Sequence, residues 1–540
     1  MALDRARAQQ GLIRLAKAGP GRLRGPVGRA TRRFRGEFSG PLVTVVLPVS
    51  DDYTTRIGTC LDSLKVQTHR NLEILVVRFG RHQRVTATVR EHAAQDWRIK
   101  TRIKVEKSLA AARNAGVAAA SGELVVVVTN AGDDFVHTGI ERLVEAHARS
   151  GSPVVVGAMR EPDIAGWIPD SAYDAAHHTP VRGTTLAATP VAVTDLGLGN
   201  KLFTTATWRQ LGLRFSDEFP DGADVALGLL ERASAFDLLA DFTYIPTDRR
   251  DGVQVGTVPD VLSGLAGWID RNDHTWHRVE ALGLPEVSEW FLWGVLDTAV
   301  QPLIADVERA DEHQWQTLRD HVTMLLDAAD EHVWARLNAE ARVKLWLLRN
   351  DHRKALEEFL GARLFTRGNR PTEVRDGKVW ALLPHHDDAE LGIPPELFEM
   401  TADETRFRAM LREVRWVDAT TLELTVFAAV DFVHMTATPA IACALVDSTT
   451  GQRFPLEVRQ FRDARANQAL RRHQDFSWGA FDAVVPVADV VAATHGADGT
   501  ATWILEVDID VDGVRRSGAV PLIDDQASAG FIGQIGRAHV

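Results

Sequence analysis

Cysteine is almost absent from this chain: Cys60 and Cys443, far apart, are the only two in 540 residues. A disulfide framework and the paired spacing of a zinc knuckle are thereby excluded, and a reducing cytosol is the simplest compartment. No apolar run reaches the roughly 18 residues that a membrane-crossing helix needs, and the N-terminus lacks the apolar centre of a secretory signal. The chain therefore reads as soluble or peripheral. Also missing are a Walker loop, the nucleophile elbow of a Ser-His-Asp hydrolase and any nucleic-acid module. A formal net charge of −12 likewise argues against a nucleic-acid partner.

That charge is unevenly spread. Residues 1–40 hold ten Lys or Arg against two acids, from Arg5 and Arg7 to Arg33 and Arg35, interleaved with Leu12, Ile13, Leu15 and Leu23. Such a segment suits an anionic membrane surface. A disordered basic tail, or a start codon placed too early, is the alternative.

What is present centres on residues 42–134. The runs Val43-Thr44-Val45-Val46-Leu47-Pro48-Val49, Leu72-Glu73-Ile74-Leu75-Val76-Val77 and Leu124-Val125-Val126-Val127-Val128 are short, continuously apolar and separated by helix-period stretches. Strands of a parallel sheet buried on both faces read this way. Ligands of such sheets sit beyond the carboxyl ends of the strands. Here those ends carry Ser50-Asp51-Asp52, Arg78-Phe79-Gly80-Arg81 and Thr129 to Asp134, so charged and polar groups converge on one edge. Further along come Gly199-Asn200-Lys201-Leu202-Phe203, Leu213-Arg214-Phe215, Asp221-Gly222-Ala223-Asp224, Tyr244 and Arg249-Arg250-Asp251-Gly252.

In this order the segments resemble a family 2 glycosyltransferase of the GT-A fold, an α/β, Rossmann-like nucleotide-diphospho-sugar transferase. The second half is similar to the transferases that glycosylate wall teichoic acid, and Trp167, His178 and Arg182 to Leu186 resemble the variable loop of their actinobacterial members. The resemblance implies an enzyme that moves a sugar from a nucleotide sugar to a cell-surface polyol-phosphate or glycan polymer, at the inner face of the membrane, by inverting single displacement. It implies donor contacts from Ser50, Asp52, Arg113, Asn114, Arg249 and Arg250, to which the charge of Arg78 adds a contact suited to phosphate, and acceptor contacts from His178, Asn200 and Lys201. Asp224 would take the acceptor proton. Asp133 and Asp134 would hold Mg²⁺ or Mn²⁺, since a hard cation on phosphate oxygens needs oxygen ligands. Capping of the following helix is the other reading of that pair.

The sequence departs from the family pattern at Arg78, where an aspartate grips the nucleoside, at Ala131, a metal-ligand position, at Ala223, beside the base, and at Val253. These departures keep a second hypothesis open: a pseudo-transferase that serves a cell-wall polymerase as a binding or assembly module.

The domain plan expected is a basic segment 1–40, a GT-A domain 41–257, a helical linker 258–400, an immunoglobulin-like β-sandwich 401–525 and a tail 526–540. The linker shows apolar residues at three- and four-residue spacing, with tryptophans as packing anchors. The sandwich shows alternation, as in Leu422, Leu424 and Val426, with Asp498-Gly499 and Asp512-Gly513 as hairpin turns. The resemblance implies that this domain binds polymer or joins copies of the chain in a homo-oligomer. His385-His386-Asp387-Asp388 carries metal-ligand residue types, yet its Pro and Gly flanks point to a linker loop. Residues 535–540 can be written as ATC GGA AGA GCA CAC GTC, a sequencing-adapter string, so a gene cut short is expected; an ordinary polar tail is the alternative.

Overall fold

The computed structural model describes residues 40–53, 56–102, 104–159, 172–219, 221–246, 261–362, 371–469, 474–493 and 502–520. The basic N-terminal segment, Trp167, Arg249, Arg250, the Asp498-Gly499 turn and the tail 526–540 lie outside the described residues. Two compact units divide between Leu303 and Ile304, within the helical stretch.

In the first unit, β1 (Val43–Val49), α1 (Ile57–Lys65), β2 (Leu72–Arg78), α2 (Gln83–Gln95), β3 (Ile99–Thr101), α3 (Leu109–Ala119) and β4 (Leu124–Val127) follow one another. The strands are parallel, in the order β3-β2-β1-β4, with Val43 opposite both Leu72 and Leu124. Every residue of β1 is buried, as its unbroken apolar run requires. Val43, Val45, Leu47 and Val49 pack with Ile57, Leu61 and Leu64 of α1. On α3, a Cβ added at Gly116 would lie 2.2 Å from Val46, so glycine lets that helix sit directly on the sheet. Between β2 and β4 lie two helices and an edge strand. The first of these helices, α2, leaves little trace in the sequence because it buries only Val85 and Val89.

The chain then forms β5 (Asp134–Phe135), α4 (Gly139–Ser150), β6 (Val154–Met159), α5 (Ala172–His177), β7 (Val181–Thr184), β8 (Lys201–Thr204), α6 (Thr205–Leu211), α7 (Ala223–Arg232) and β9 (Phe236–Ile245). β8 inserts antiparallel between β4 and β6, and β9 runs parallel to β6, giving a mixed nine-stranded sheet. The end of β9 returns beside β5, pairing Ile245 with Asp134, and so brings Tyr244 to the carboxyl end of β4. Two more helices follow, α8 (Leu265–Ala281) and α9 (Pro285–Gly294), with Trp276 of α8 stacked on Phe291.

The second unit opens with helices, among them α10 (Glu312–Ala328), α11 (Glu331–Arg336), α12 (Ala339–Arg349) and α13 (Arg353–Gly361). Trp315 is a packing anchor here, buried, with its indole N–H on Asp351 at 2.8 Å. Within the stretch read as helical, a hairpin forms from β10 (Thr372–Arg375) and β11 (Lys378–Ala381); Asp376 and Gly377 turn it with positive φ angles of 52° and 72°. Seven strands complete the unit: β12 (Phe407–Trp416), β13 (Thr421–Val430), β14 (Ala440–Asp447), β15 (Arg453–Phe461), β16 (Ala480–Pro486), β17 (Trp503–Val511) and β18 (Val514–Ala519). All pair antiparallel, in the order β12-β13-β16-β15-β14-β17-β18. This is the all-β domain expected from the alternation. Asp512-Gly513 makes the β17–β18 turn. His385 and His386 are loop residues whose ring nitrogens face the carbonyls of Ala355 and Leu383.

Candidate active site

The loops at the carboxyl ends of β1 and β2 are tied together by backbone bonds, Phe79 N–H to the Val49 carbonyl and Asp51 N–H to the Arg81 carbonyl. Asp51 accepts from the N–H groups of Arg84 and Val85, capping α2 from outside the helix. Ser50 is buried and donates to Asp52, whose carboxylate is exposed at the loop tip. Arg78 ends β2, half-buried, and donates to the Arg102 carbonyl at 3.2 Å.

At the end of β4 the two acids differ. Asp133 has no exposed surface, and its Oδ2 accepts from the Asn130 N–H at 2.9 Å and from the Tyr244 hydroxyl. That hydroxyl in turn accepts from the Thr129 N–H at 3.0 Å, so Tyr244 braces the whole 129–133 turn. A Cβ at Gly199 would fall 2.1 Å from the Tyr244 ring, which is why a glycine precedes Asn200. Thr138 holds the N-cap position of α4 without a side-chain bond, and the first turn is met by Gln67 Oε1, which accepts from the Ile140 N–H, so helix capping is not what occupies Asp133. Asp134 is only half-buried, yet its Oδ1 is a buried atom with no hydrogen-bond partner. Burial raises its pKa and the Asp133 charge adds to that, with Arg56 opposing. An orphaned, desolvated carboxylate oxygen beside a second acid is a donor set that suits a hard divalent cation.

Arg113 and Asn114 on α3 are held by the protein itself. The Arg113 guanidinium is buried, donates to the Thr129 carbonyl at 2.9 Å and lies 5.4 Å from the Phe215 ring centroid. Asn114 makes two bonds to the Phe215 backbone, one in each direction. The Asn114 amide thereby pins the 213–216 loop. Gly222, at φ +87°, lies against this assembly: a Cβ there would be 3.2 Å from Leu198 and 3.6 Å from Arg113 Nη1. Arg113 thus links the end of β4 to the turn leading into Asp224.

Asp224 sits in the first turn of α7, where Asp221 caps by accepting from the Ala223 N–H at 3.1 Å. Its Oδ1 is buried without a hydrogen-bond partner. Burial pushes its pKa up, as does Asp221, against the Val225 N–H and then Arg278 and His274 of α8. A carboxylate with raised proton affinity and a lone pair left open is what a general base needs.

The expected acceptor residues are placed differently. Asn200 and Lys201 have no exposed surface, so neither side chain touches a polymer; both surround Asp195. Lys201 Nζ donates to the carbonyls of Asp195 and Gly197 and to Asp195 Oδ1, using three ammonium protons. Asp195 Oδ2 takes Asn200 Nδ2 at 2.6 Å and His177 Nε2 at 2.9 Å. Burial alone would raise the Asp195 pKa, but the Lys201 cation with His177 and Asn200 holds it well below the usual carboxylate range. His178 is exposed, and its neighbour His177 is the buried partner. Sequence reading missed His177 and Asp195, which sit in no periodic pattern, the brace made by Tyr244, and the side chains of α8.

Residues 44–188 match the family described as Glycosyl transferase family 2. Among curated proteins, the uncharacterized glycosyltransferase EpsJ of Bacillus subtilis is 31% identical over 117 residues, 22% of this chain and 33% of that protein. Glycosyltransferase GlyA of Streptococcus pneumoniae is 33% identical over 109 residues, 20% of this chain and 16% of that protein. The chain thus spans about a third or less of the length of these relatives. Among solved structures, S. aureus TarS aligns with a TM-score of 0.44 at 13% identity, covering 89% of this chain and 77% of that one. The Pyrobaculum calidifontis mannosyltransferase PcManGT aligns with a TM-score of 0.37 at 17% identity, covering 59% and 87%. The stretch that matches glycosyl transferase family 2 runs from β1 through β7 and includes both acids at the end of β4.

Proposed function

We propose that the chain is an inverting glycosyltransferase that moves a sugar from a nucleotide-diphosphate donor to a cell-surface glycopolymer of the teichoic-acid type. The observation that carries this is Asp224, a desolvated carboxylate with an open oxygen, held at the head of α7 and linked through Gly222 and Arg113 to the acids at the end of β4. In a single displacement, the acceptor hydroxyl gives its proton to Asp224 while its oxygen bonds to the anomeric carbon. The bond from that carbon to the diphosphate oxygen breaks with its electron pair, and attack from the opposite face inverts the configuration.

Asp134, with Asp133 held behind it by Tyr244, would hold Mg²⁺ or Mn²⁺. When bound, such an ion neutralises charge on the departing diphosphate. Ser50 and Asp52 line the donor edge beyond β1. The polymeric acceptor is supported by the likeness of the accessory regions to those of wall teichoic acid transferases. Among the described residues no helix is long and apolar enough to cross a membrane, so work at the inner membrane face would be peripheral, with the basic N-terminal segment as the contact.

The test is calorimetry of the full chain with UDP, CDP and a panel of nucleotide sugars, with and without Mn²⁺, followed by transfer assays. Metal-dependent binding of one nucleotide class, and transfer lost in Asp224→Asn, is the expected result. A folded protein that binds none of them would instead be a binding or assembly module.

A further inference from the structure

The loop that carries Asp224 is gripped by one face of α8, a helix beyond the residues matched by the family. Arg271, His274 and Arg278 recur at spacings of three and four and therefore share that face. Arg271 Nε meets Asp221 Oδ2 at 3.2 Å. The His274 ring stacks on Phe219 with centroids 3.8 Å apart. Arg278 donates through Nη1 to the carbonyl of Asp224 itself at 2.7 Å and through Nη2 to the Glu231 carboxylate at 3.0 Å, spanning the length of α7. Gly228 lies on α7 under this bridge, where a Cβ would press on Leu213 Cδ2 at 2.8 Å and would meet Arg278 Nη2 only at ordinary contact distance.

We propose that this face of α8 is part of the catalytic apparatus, a clamp in which Arg278 is a positioning residue that fixes the Asp224 backbone and sets a positive field at its carboxylate. The inference rests on the reading of Asp224 as the base. Three charged or titratable side chains face the Asp224 carboxylate: Arg278 and His274 from α8 and Asp221 from its own loop. Arg271 and Glu231 pair with the outer members of the set. Burial works against ionisation of Asp224; the Val225 N–H, then Arg278 and His274, work for it. The grip also makes geometric sense, because a base must sit within hydrogen-bond reach of the hydroxyl it serves, and small misplacements cost large factors in rate.

The experiment uses the full chain with ¹³C-labelled aspartate, the Asp224 carboxyl resonance being identified by its loss in Asp224→Asn. Its titration is followed in the wild type, in Arg278→Met and in Arg278→Lys. Loss of the charge in Arg278→Met is expected to move the midpoint to higher pH by roughly half a unit to one unit, a modest share of what a close charge can do because the site is partly exposed. Arg278→Lys, which keeps the charge, should retain most of the wild-type position. In transfer, kcat of Arg278→Met should fall with the donor KM unchanged, and the acidic limb of its pH profile should follow the shifted midpoint. An unmoved midpoint in a folded Arg278→Met protein would overturn the clamp, as would equal shifts in the Met and Lys variants. A shifted midpoint in a protein that binds no nucleotide sugar would remove the transferase reading and the catalytic role of the clamp with it, whereas an unmoved midpoint in an active enzyme would remove the clamp alone.

Discussion

Two groups of buried acids lie in the same unit and are handled in opposite ways. Around Asp195 every oxygen is spoken for: Oδ1 takes Lys201 and the Gly197 N–H, Oδ2 takes Asn200 and His177. At Asp134 and Asp224 one carboxylate oxygen each is buried and left open. Burial of an unmatched polar atom costs free energy, so evolution keeps it only where something else is gained. A satisfied cluster positions the chain; an unsatisfied carboxylate is available to a proton or a cation. Residue types alone do not separate the two, since the first group includes Asn200 and Lys201, read from the resemblance as acceptor contacts.

The sharpest way to break this contrast is Asp224→Asn. It should lower sugar transfer by roughly 10²–10⁴-fold, the range for loss of a general base, while the melting temperature holds. A variant that melts early would make Asp224 a structural acid after all. Next in size is Lys201→Met, which leaves Asp195 buried beside one cation fewer. Breaking such a pair costs about 3–5 kcal/mol, measured by denaturant unfolding; a loss of under about 1 kcal/mol would mean that the cluster is not the prop described here.

Tyr244→Phe tests the boundary between the groups, because it strips a donor from Asp133. About 1–3 kcal/mol of stability should go, and calorimetry should show weaker Mn²⁺-dependent nucleotide binding. Unchanged metal dependence would place the cation elsewhere. On stability the smallest effect is expected from Asp134→Asn, and it depends on pH. The folded pKa of Asp134 is raised, so the folded state binds more protons than the unfolded state between the two values, and ionisation destabilises the fold above them. The variant should therefore be slightly more stable than wild type at neutral pH, with the gain fading as pH falls through the raised folded pKa. Asp195 has the opposite sign: its contribution is complete above the unfolded carboxylate range and drains away as pH falls below it. Melting curves from about pH 2 to 8 would show both trends, and equal behaviour of the two acids would erase the comparison.

Much of the fold could be read from the sequence because burial on both faces leaves a pattern. The valine runs at 43–49, 72–77 and 124–128 became central parallel strands, and the alternation at Leu422, Leu424 and Val426 became an antiparallel one. Less visible were α2, with its sparse apolar face, and the β10–β11 hairpin, signalled only by Asp376-Gly377. At the site, the Asp133-Asp134 pair stood out because it follows a recognisable strand, and Asp224 because its segment resembles the acceptor half of the family. Arg278 did not: it is 54 residues from Asp224 along the chain, and its spacing on α8 equals that of any solvated helix face.

The sequence by itself determined which segments must be buried and which polar loops must gather at the ends of the central strands, because hydrophobic periodicity is local and survives in one dimension. Tertiary structure alone decided which acids are satisfied and which are left open. That depends on partners brought from afar, Tyr244 to Asp133, His177 and Lys201 to Asp195, and α8 to Asp224, and on how much water each carboxylate loses when they arrive.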